Sequence, residues 1–453
     1  MAHLTADIGR FVAHLDLDSA PERARAIAKT GFADCYAVMV AGAREPVVGL
    51  VDRTLAGAAA ENGASLIPGG ERRRVADAAL VNGVAAHVLD YDDVALDGHP
   101  SAVLVPAILA QAEASESSGA EMLAAYLAGY EVWAELIGRE EGALHEKGWH
   151  PTAVLGAIAA AAACAKLRRL DAARTATAAA AAASMSAGLV SNFGTMTKSF
   201  QVGRAAQSGV IAAELAEAGF TASPDALEHR AGFLVAVSPT GRPDRERPMT
   251  LEGREWRILA QGLNVKRYPI CYATHRAIDG ALGLVVKHEL KPGDIDQIKV
   301  STGETQMLML RNHKPQTGLE AKFSMNFAMA SSVVARNVGL AELTDDFVRK
   351  PEVQALMGRV TFETTPETMA GLSFAPFDAV AIRTVSGETL ESGPVERAKG
   401  SHQKPLSEQE LWTKFADCMG RGLSTPAASR AFERLMSLEH LNSATHLVRP
   451  ERA

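Results

Sequence analysis

Cysteine, aromatic side chains, excess positive charge and long apolar runs are all scarce in this sequence. The 453 residues hold 4 cysteines, Cys35, Cys164, Cys271 and Cys418, none within reach of a C-x-x-C pair. That removes the usual thiolate metal and redox motifs and predicts a reduced, cytoplasmic setting. Lys plus Arg number 46 against 53 Asp plus Glu, a net charge of −7. No basic field is present to hold a phosphate backbone, so nucleic acid is excluded as a partner. The longest apolar stretch, Ala153 to Ala165, is about half of the roughly 20 residues a membrane span needs, and no membrane partner is expected. The N-terminus has no basic region followed by an apolar run, so no signal peptide is expected.

What is present is alanine and helical periodicity. Pro21–Ala43, Val75–Leu89, Met122–Ile137, Ala153–Leu167, Ala172–Ala187 and Gly203–Ala218 carry helix formers with apolar residues three and four apart, which predicts a helical domain over about 1–265. With only 14 Phe, 4 Trp and 6 Tyr, its core must come from close helix packing through alanine. Near residue 265 the composition changes. Ile298–Val300, Arg359–Glu363 and Ala379–Val385 are rich in β-branched residues, and Ser386-Gly387-Glu388 suits a hairpin turn before Thr389–Ser392. Helices Thr274–Glu289 and Lys322–Arg336 intervene, giving an α+β domain over 266–403. Helix returns from Ser407 to Leu438, so 404–453 should fold back onto the first domain. The expected class is mainly α, a large helical domain interrupted by a smaller α+β domain.

One short echo stands out: His99-Pro-Ser-Ala-Val-Leu and His150-Pro-Thr-Ala-Val-Leu. Proline suits the first helical position, so both histidines are placed at helix N-termini, where free N–H groups and the positive dipole end favour a carboxylate. His-Pro is also ordinary loop punctuation. Asp90, at the end of the Val75–Leu89 helix, opposes that helix's dipole and needs a partner or a task; it is a candidate base or histidine orienter. Asp92 and Asp93 read as solvated loop-edge carboxylates. Val94 and Ala95 stand where a calcium loop needs an oxygen ligand and a glycine. His145-Glu146-x-x-x-His150 spaces its histidines five apart instead of the four a zinc helix requires. Neither metal is expected. The Walker loop, G-x-S-x-G and G-x-G-x-x-G are absent, which leaves side-chain acid–base chemistry. Lys198, in the polar break Asn192–Lys198, and Arg204 supply cations for substrate carboxylates. Lys266, Arg267, Tyr272 and His275 gather two cations, a phenol and an imidazole just before a helix.

At these residues the sequence resembles the MmgE/PrpD family, whose members include 2-methylcitrate dehydratase, cis-aconitate decarboxylase and iminodisuccinate epimerase. The matching stretches are Asp90-Tyr-Asp-Asp, Gly98-His-Pro-Ser, Gly148-Trp-His-Pro-Thr, Asn192–Lys198, Gly203-Arg-Ala-Ala, Lys266–His275 and Glu320-Ala-Lys-Phe-Ser. The resemblance implies a helical domain with an α+β lid, a homodimer, no metal or organic cofactor, and site positions at Asp90, His99, His150 and Lys198. Val94 stands where decarboxylase-like members have threonine, and Met325-Asn326-Phe327 where many have a tyrosine. The wording of Asn192–Lys198 and of Cys271-Tyr-Ala-x-His is similar to the epimerase branch.

The expected chemistry is proton transfer beside a carboxylate on a citrate-like di- or tricarboxylic acid. His99 and His150 form the acid–base pair, Asp90 orients an imidazole, and Lys198, Thr197, Arg204, Lys266 and Arg267 hold carboxylates. Tyr272 and His275 close the site. A lyase leads, an epimerase of a substituted succinate is the alternative, and a non-catalytic carboxylate-binding protein is the second alternative.

Overall fold

The computed structural model describes residues 3–55, 59–249, 255–368 and 374–448. The chain forms two compact units, Met1–Asn264 with Ser407–Ala453, and Val265–Leu406. The first is helical. Three of its helices, Val75–His87, Pro100–Ala114 and Pro151–Leu167, are buried on every side, as helices apolar all round must be. Around them pack Glu22–Gly42, Gly119–Ile137, Ala172–Ser184 and Met196–Glu217. Among the described residues no helix is long and apolar enough to cross a membrane.

Small residues let these helices approach backbone to backbone. A Cβ on Gly203 would lie 2.3 Å from the Leu80 carbonyl oxygen, and one on Gly209 would lie 2.3 Å from Ala160 Cβ. The helix Met196–Glu217 is therefore pressed against Val75–His87 on one side and Pro151–Leu167 on the other. Ala159 to Ala163 are fully buried, so the alanine run is core. Alanine loses almost no side-chain freedom on burial, and close approach recovers the dispersion contacts that larger side chains would have made.

The C-terminal helix Glu408–Met419 starts with a capping box, Ser407 with Glu410, and packs on Glu22–Gly42. Thr425–Met436 follows after a break at Gly420–Ser424.

The second unit carries a four-stranded sheet in the order Val360–Thr365, Ile295–Gly303, Ala379–Thr384, Thr389–Glu391. The first pair is parallel and the other two are antiparallel. The last pair is the expected hairpin, with Gly387 at φ 92° supplying the left-handed turn residue. Helices His275–Lys287 and Met325–Val334 pack together and share one apolar core with the sheet. Inside it Arg276 meets Asp378 through Nε at 3.1 Å and Nη2 at 3.0 Å, and Thr302 and Gln306 satisfy the remaining carboxylate positions. A buried charge pair survives only with that kind of full satisfaction.

Candidate active site

All groups of this cluster lie in the first unit, where the Val75–His87 helix ends and three others begin. The N-caps of Pro100–Ala114, Pro151–Leu167 and Met196–Glu217 are His99, His150 and Thr195. A Cβ on Gly98 would lie 3.2 Å from Thr152 N, so the first two N-termini nearly touch. Their dipole ends place positive potential on the same region.

The chain between them is tightly specified. Asp90 adopts φ 52° and its N–H donates to the His87 carbonyl; aspartate tolerates that left-handed geometry better than most residues. Leu96 and Asp97 also take positive φ, in a two-residue turn closed by paired bonds between Ala95 and Gly98. Trp133 Nε1–H donates to the Leu96 carbonyl at 3.2 Å. On the other side, Trp149 and Leu189 form an antiparallel bridge, and His150 N–H donates to the Gly188 carbonyl at 3.0 Å. That bridge carries Phe193 to the edge of the His150 ring, with centroids 4.9 Å apart.

Lys198 lies in the first turn of Met196–Glu217, so the helix begins earlier than Gly203 and the polar break stops at Thr195. Its Nζ donates to Asp90 Oδ1 at 2.8 Å and sits 5.2 Å from the centre of the Phe193 ring. Gln201, three residues on and on the same helical face, accepts from His150 Nδ1–H at 2.9 Å while its amide donates to the Leu189 carbonyl at 3.2 Å. The donation fixes which end of the amide faces His150, so the proton of neutral His150 is on Nδ1 and the lone pair on Nε2. Burial first, then His87 and Lys198, push the His150 imidazole well below its ordinary range, with the Gln201 bond opposing.

Asp92 and Asp93 are fully buried, which corrects the expectation of solvated loop-edge carboxylates. The reason is tertiary: the turn folds into the helix bundle instead of capping it. Asp92 accepts from His87 Nδ1–H at 3.0 Å and from His99 Nδ1–H at 2.8 Å. His99 Nδ1 also faces the Asp93 carbonyl at 2.9 Å. Both partners of His99 Nδ1 are acceptors, so it carries the proton. Burial would raise the Asp92 carboxyl, but the two imidazoles and their N–H groups outweigh it and hold it well below the carboxylate range. Burial raises Asp93 well above that range, Asp34 adds to the rise, and the Ser101 hydroxyl opposes it.

His87 and Asp92 went unrecognised in the sequence. His87 is 2 % exposed, with its ring 4.5 Å from that of His99 and 6.2 Å from that of His150. The available signal was a lone ionisable group in the last turn of an otherwise apolar, all-round buried helix. Among the described residues, His87, Asp92 and His99 are the cluster of metal-ligating type, with donor atoms within 4.8 Å of one another. An ion would have to replace the two Nδ1 protons that now bind the carboxylate.

Of the other expected residues, Thr197 is in the first turn with Lys198, its N–H received by Thr195 Oγ1. Arg204 is not in this cluster. It is exposed and bonds Gln207, whose amide donates to Asp77 near the start of Val75–His87. Six residues of helix, about 1.7 turns, carry it away from Lys198 and onto another face.

Lys266, Arg267, Tyr272 and His275 belong to the second unit. Lys266 is buried, and Arg267 is ion-paired with Asp279 at 3.7 Å. Burial raises the Tyr272 phenol. His275 is fully buried, donates from Nε2 to the Ile270 carbonyl at 3.2 Å and stacks near Tyr268 and Tyr272. Within its own unit it holds the turn at Ile270.

Burial of neutral His87 has a consequence for stability. Its ordinary value of 6.5 falls to about 4, through burial first and then Lys198 and His99, with Asp92 opposing. The unfolded chain therefore takes up a proton below pH 6.5 that the folded chain refuses until about 4. Stability from this group is full above 6.5 and is lost as pH falls, by about 3 kcal/mol in all. Raised Asp93 acts in the opposite sense, stabilising the folded chain as pH falls. His87→Asn should flatten the fall in urea-derived stability between pH 6.5 and 4.5 by roughly 1 kcal/mol per pH unit. An unchanged slope would refute the assignment of a neutral His87.

The MmgE/PrpD N-terminal domain matches residues 6–246 and the MmgE/PrpD C-terminal domain matches residues 268–438. Human cis-aconitate decarboxylase is 27 % identical over 384 residues, covering 82 % of this chain and 78 % of the human protein. The mouse cis-aconitate decarboxylase is 28 % identical over 391 residues, with 82 % and 77 % covered. That of Aspergillus terreus is 24 % identical over 470 residues, with 98 % and 95 % covered. Family domains matched along both units, in order, show that the chain belongs to the MmgE/PrpD family.

Proposed function

We propose that this protein is a lyase acting on a tricarboxylic acid of the cis-aconitate class, with His150 and His99 moving the proton. The observation that carries the reading is the meeting of two helix-terminal imidazoles and the Lys198–Asp90 ion pair around one buried region. Likeness to cis-aconitate decarboxylases supports the substrate class.

The chemistry suits these groups. In cis-aconitate one carboxyl is β,γ to the double bond. Loss of carbon dioxide breaks a C–C bond whose electron pair becomes the new double bond, and the old π pair takes a proton at the carbon beside a remaining carboxylate. One proton is consumed, and a methylene-substituted succinate is formed. The protein has to deliver that proton and hold charge at the neighbouring carboxylate. His150 or His99 serves the first task by taking up a proton at Nε2 and passing it to carbon, and Lys198 with the convergent helix N-termini serves the second. No electron transfer is needed, and we propose that no cofactor takes part.

Epimerisation of a substituted succinate is the second reading. It is favoured by two imidazoles whose Nδ1 protons are committed to Gln201 and Asp92, since that leaves two Nε2 bases, as removal and return of one carbon proton require. Incubation with cis-aconitate, 2-methylcitrate and iminodisuccinate in deuterium oxide, with and without a chelator, separates them. Carbon dioxide release with one deuterium in the product is the expected result. α-Deuteration without elimination would replace the lyase by the epimerase, inactivity on all three would overturn both, and loss of activity with the chelator would overturn the cofactor-free claim.

A further inference from the structure

His145 heads the stretch His145-Glu146-x-x-x-His150, whose spacing suits no zinc helix, and the acid–base chemistry proposed above leaves it unused. Its backbone is fixed on both sides. Leu144 is buried, the Gly148 N–H donates to the His145 carbonyl, the Trp149 N–H donates to the Leu144 carbonyl, and the Gly148 carbonyl accepts from Val190 N–H. The side chain itself is exposed, and among the described residues neither ring nitrogen has a hydrogen-bond partner. Three groups meet the Phe193 ring. His150 lies 4.9 Å from it and His145 6.1 Å, centroid to centroid and both close to edge-on, while Lys198 Nζ is 5.2 Å from its centre. Phe193 is only half-buried, and Lys198 and His99 each keep 13 % of their side-chain surface, so these groups face solvent that a ligand can displace. Burial lowers the His145 imidazole, Asp97 opposes, and His99 and Lys198 lower it further. An accessible imidazole held towards neutrality by cationic neighbours is stabilised in its charged form when an anion binds among them.

We propose that His145 is a substrate-recognition residue of this site, a hydrogen-bond donor to the carboxylate that the reaction leaves untouched. The inference rests on the tricarboxylate reading and assigns the acid's third anionic group. Of the three carboxylates, one leaves, and a tight hold on it in the ground state would oppose its departure. A second is attached to the carbon that takes the proton, and Lys198 with the helix N-termini answers its growing charge. The third, on the central carbon, neither leaves nor is attached to the protonated carbon. A contact there lowers no barrier by itself, but it fixes how the acid lies against His150 and His99. Neutral imidazole offers one N–H to it, and imidazolium offers two. A carboxylate at the ring favours the protonated form, as Asp97 already does, and the resulting bond is charge-assisted. His145 thereby makes the site a reader of three carboxylates instead of two.

Calorimetric titration of the full-length protein at pH 7 with tricarballylate, a saturated tricarboxylate, and with glutarate, which lacks the central carboxylate, tests this. Wild type should bind tricarballylate at least about tenfold more tightly, the order one charge-assisted hydrogen bond provides. His145→Ala should cut that preference at least about threefold and leave the glutarate affinity within about twofold, because the exposed ring holds no part of the fold. His145→Gln keeps an N–H donor and should retain more of the preference than His145→Ala. A wild-type preference below that level overturns the inference, and so does a smaller cut in His145→Ala or a glutamine variant no better than alanine. A parallel loss for both acids would show that His145 only shapes its turn, and overturns it as well. If neither acid binds wild type, the tricarboxylate reading falls and takes this inference with it. That result is distinct from tight binding of tricarballylate that His145→Ala leaves unchanged, which removes the inference alone.

Discussion

Replacing His150 by Gln should lower kcat for the proposed tricarboxylate substrate by on the order of 10²–10⁴-fold, the usual weight of a positioned acid–base group. The structure says why this imidazole is the strongest candidate. It caps Pro151–Leu167, so its backbone is fixed by the helix it starts. Gln201 fixes the tautomer, and Leu189 fixes Gln201. Phe193 packs against the ring and Lys198 lies over the same phenyl group. Burial holds the imidazole neutral at pH 7, ready to take a proton, and the acid it becomes is strong enough to return one to carbon. Glutamine at this position can keep a donor near Gln201, so thermal stability should change little while turnover collapses. Because the lost interaction belongs to the transition state, kcat and kcat/KM should fall together. A loss under about tenfold would remove His150 from the chemistry.

The same region shows what could be read from residues alone. The helix N-termini at His99 and His150 were legible because proline at the first helical position is a local signal, and the repeated motif doubled it. Asp90 was legible as a carboxylate in need of a partner, since it opposes a helix dipole. The mainly helical class followed from periodicity, and the strands of the second unit from β-branched runs around a glycine turn. Asp92 was not legible. A carboxylate next to two others reads as solvated, and only the arrival of His87 from one side and His99 from the other makes its burial tolerable. His87 was hidden in an apolar run whose burial the sequence did signal, and its significance appears only when the lone polar atom is asked for its partner. Arg204 lies apart from the cluster for a different reason. It is close to Lys198 in sequence but not in space, because six residues of helix rise about 9 Å and turn the side chain elsewhere.

Removing Lys414 should be the most damaging single change to the first unit's stability that lies outside the proposed chemistry. Lys414 stands on the C-terminal helix Glu408–Met419 and is 5 % exposed. Its ammonium pairs with Asp34 of Glu22–Gly42, donates to the Tyr91 carbonyl at 2.7 Å and lies 4.0 Å from the centre of the Tyr91 ring. One cation thus ties the returning C-terminal segment, the Glu22–Gly42 helix and the Asp90–His99 turn together. Asp34 and Asp93 are both buried in its neighbourhood, and Lys414 opposes the rise of Asp93. Lys414→Met keeps the aliphatic volume but takes the charge away from two buried carboxyl groups. The expected loss is about 3–5 kcal/mol, the cost of removing one partner from a buried ion pair. Asp34→Leu combined with Lys414→Met should recover most of it, because the pair as a whole contributes far less than either half costs when stranded. Urea unfolding followed by circular dichroism measures both. A single-variant loss below about 1 kcal/mol, or a double variant no more stable than Lys414→Met, would show that the ammonium does not hold this corner together. Turnover should fall in Lys414→Met even under conditions where it is fully folded, because the Tyr91 carbonyl that Lys414 holds lies between Asp90, which meets Lys198, and Asp92, which clamps His87 and His99.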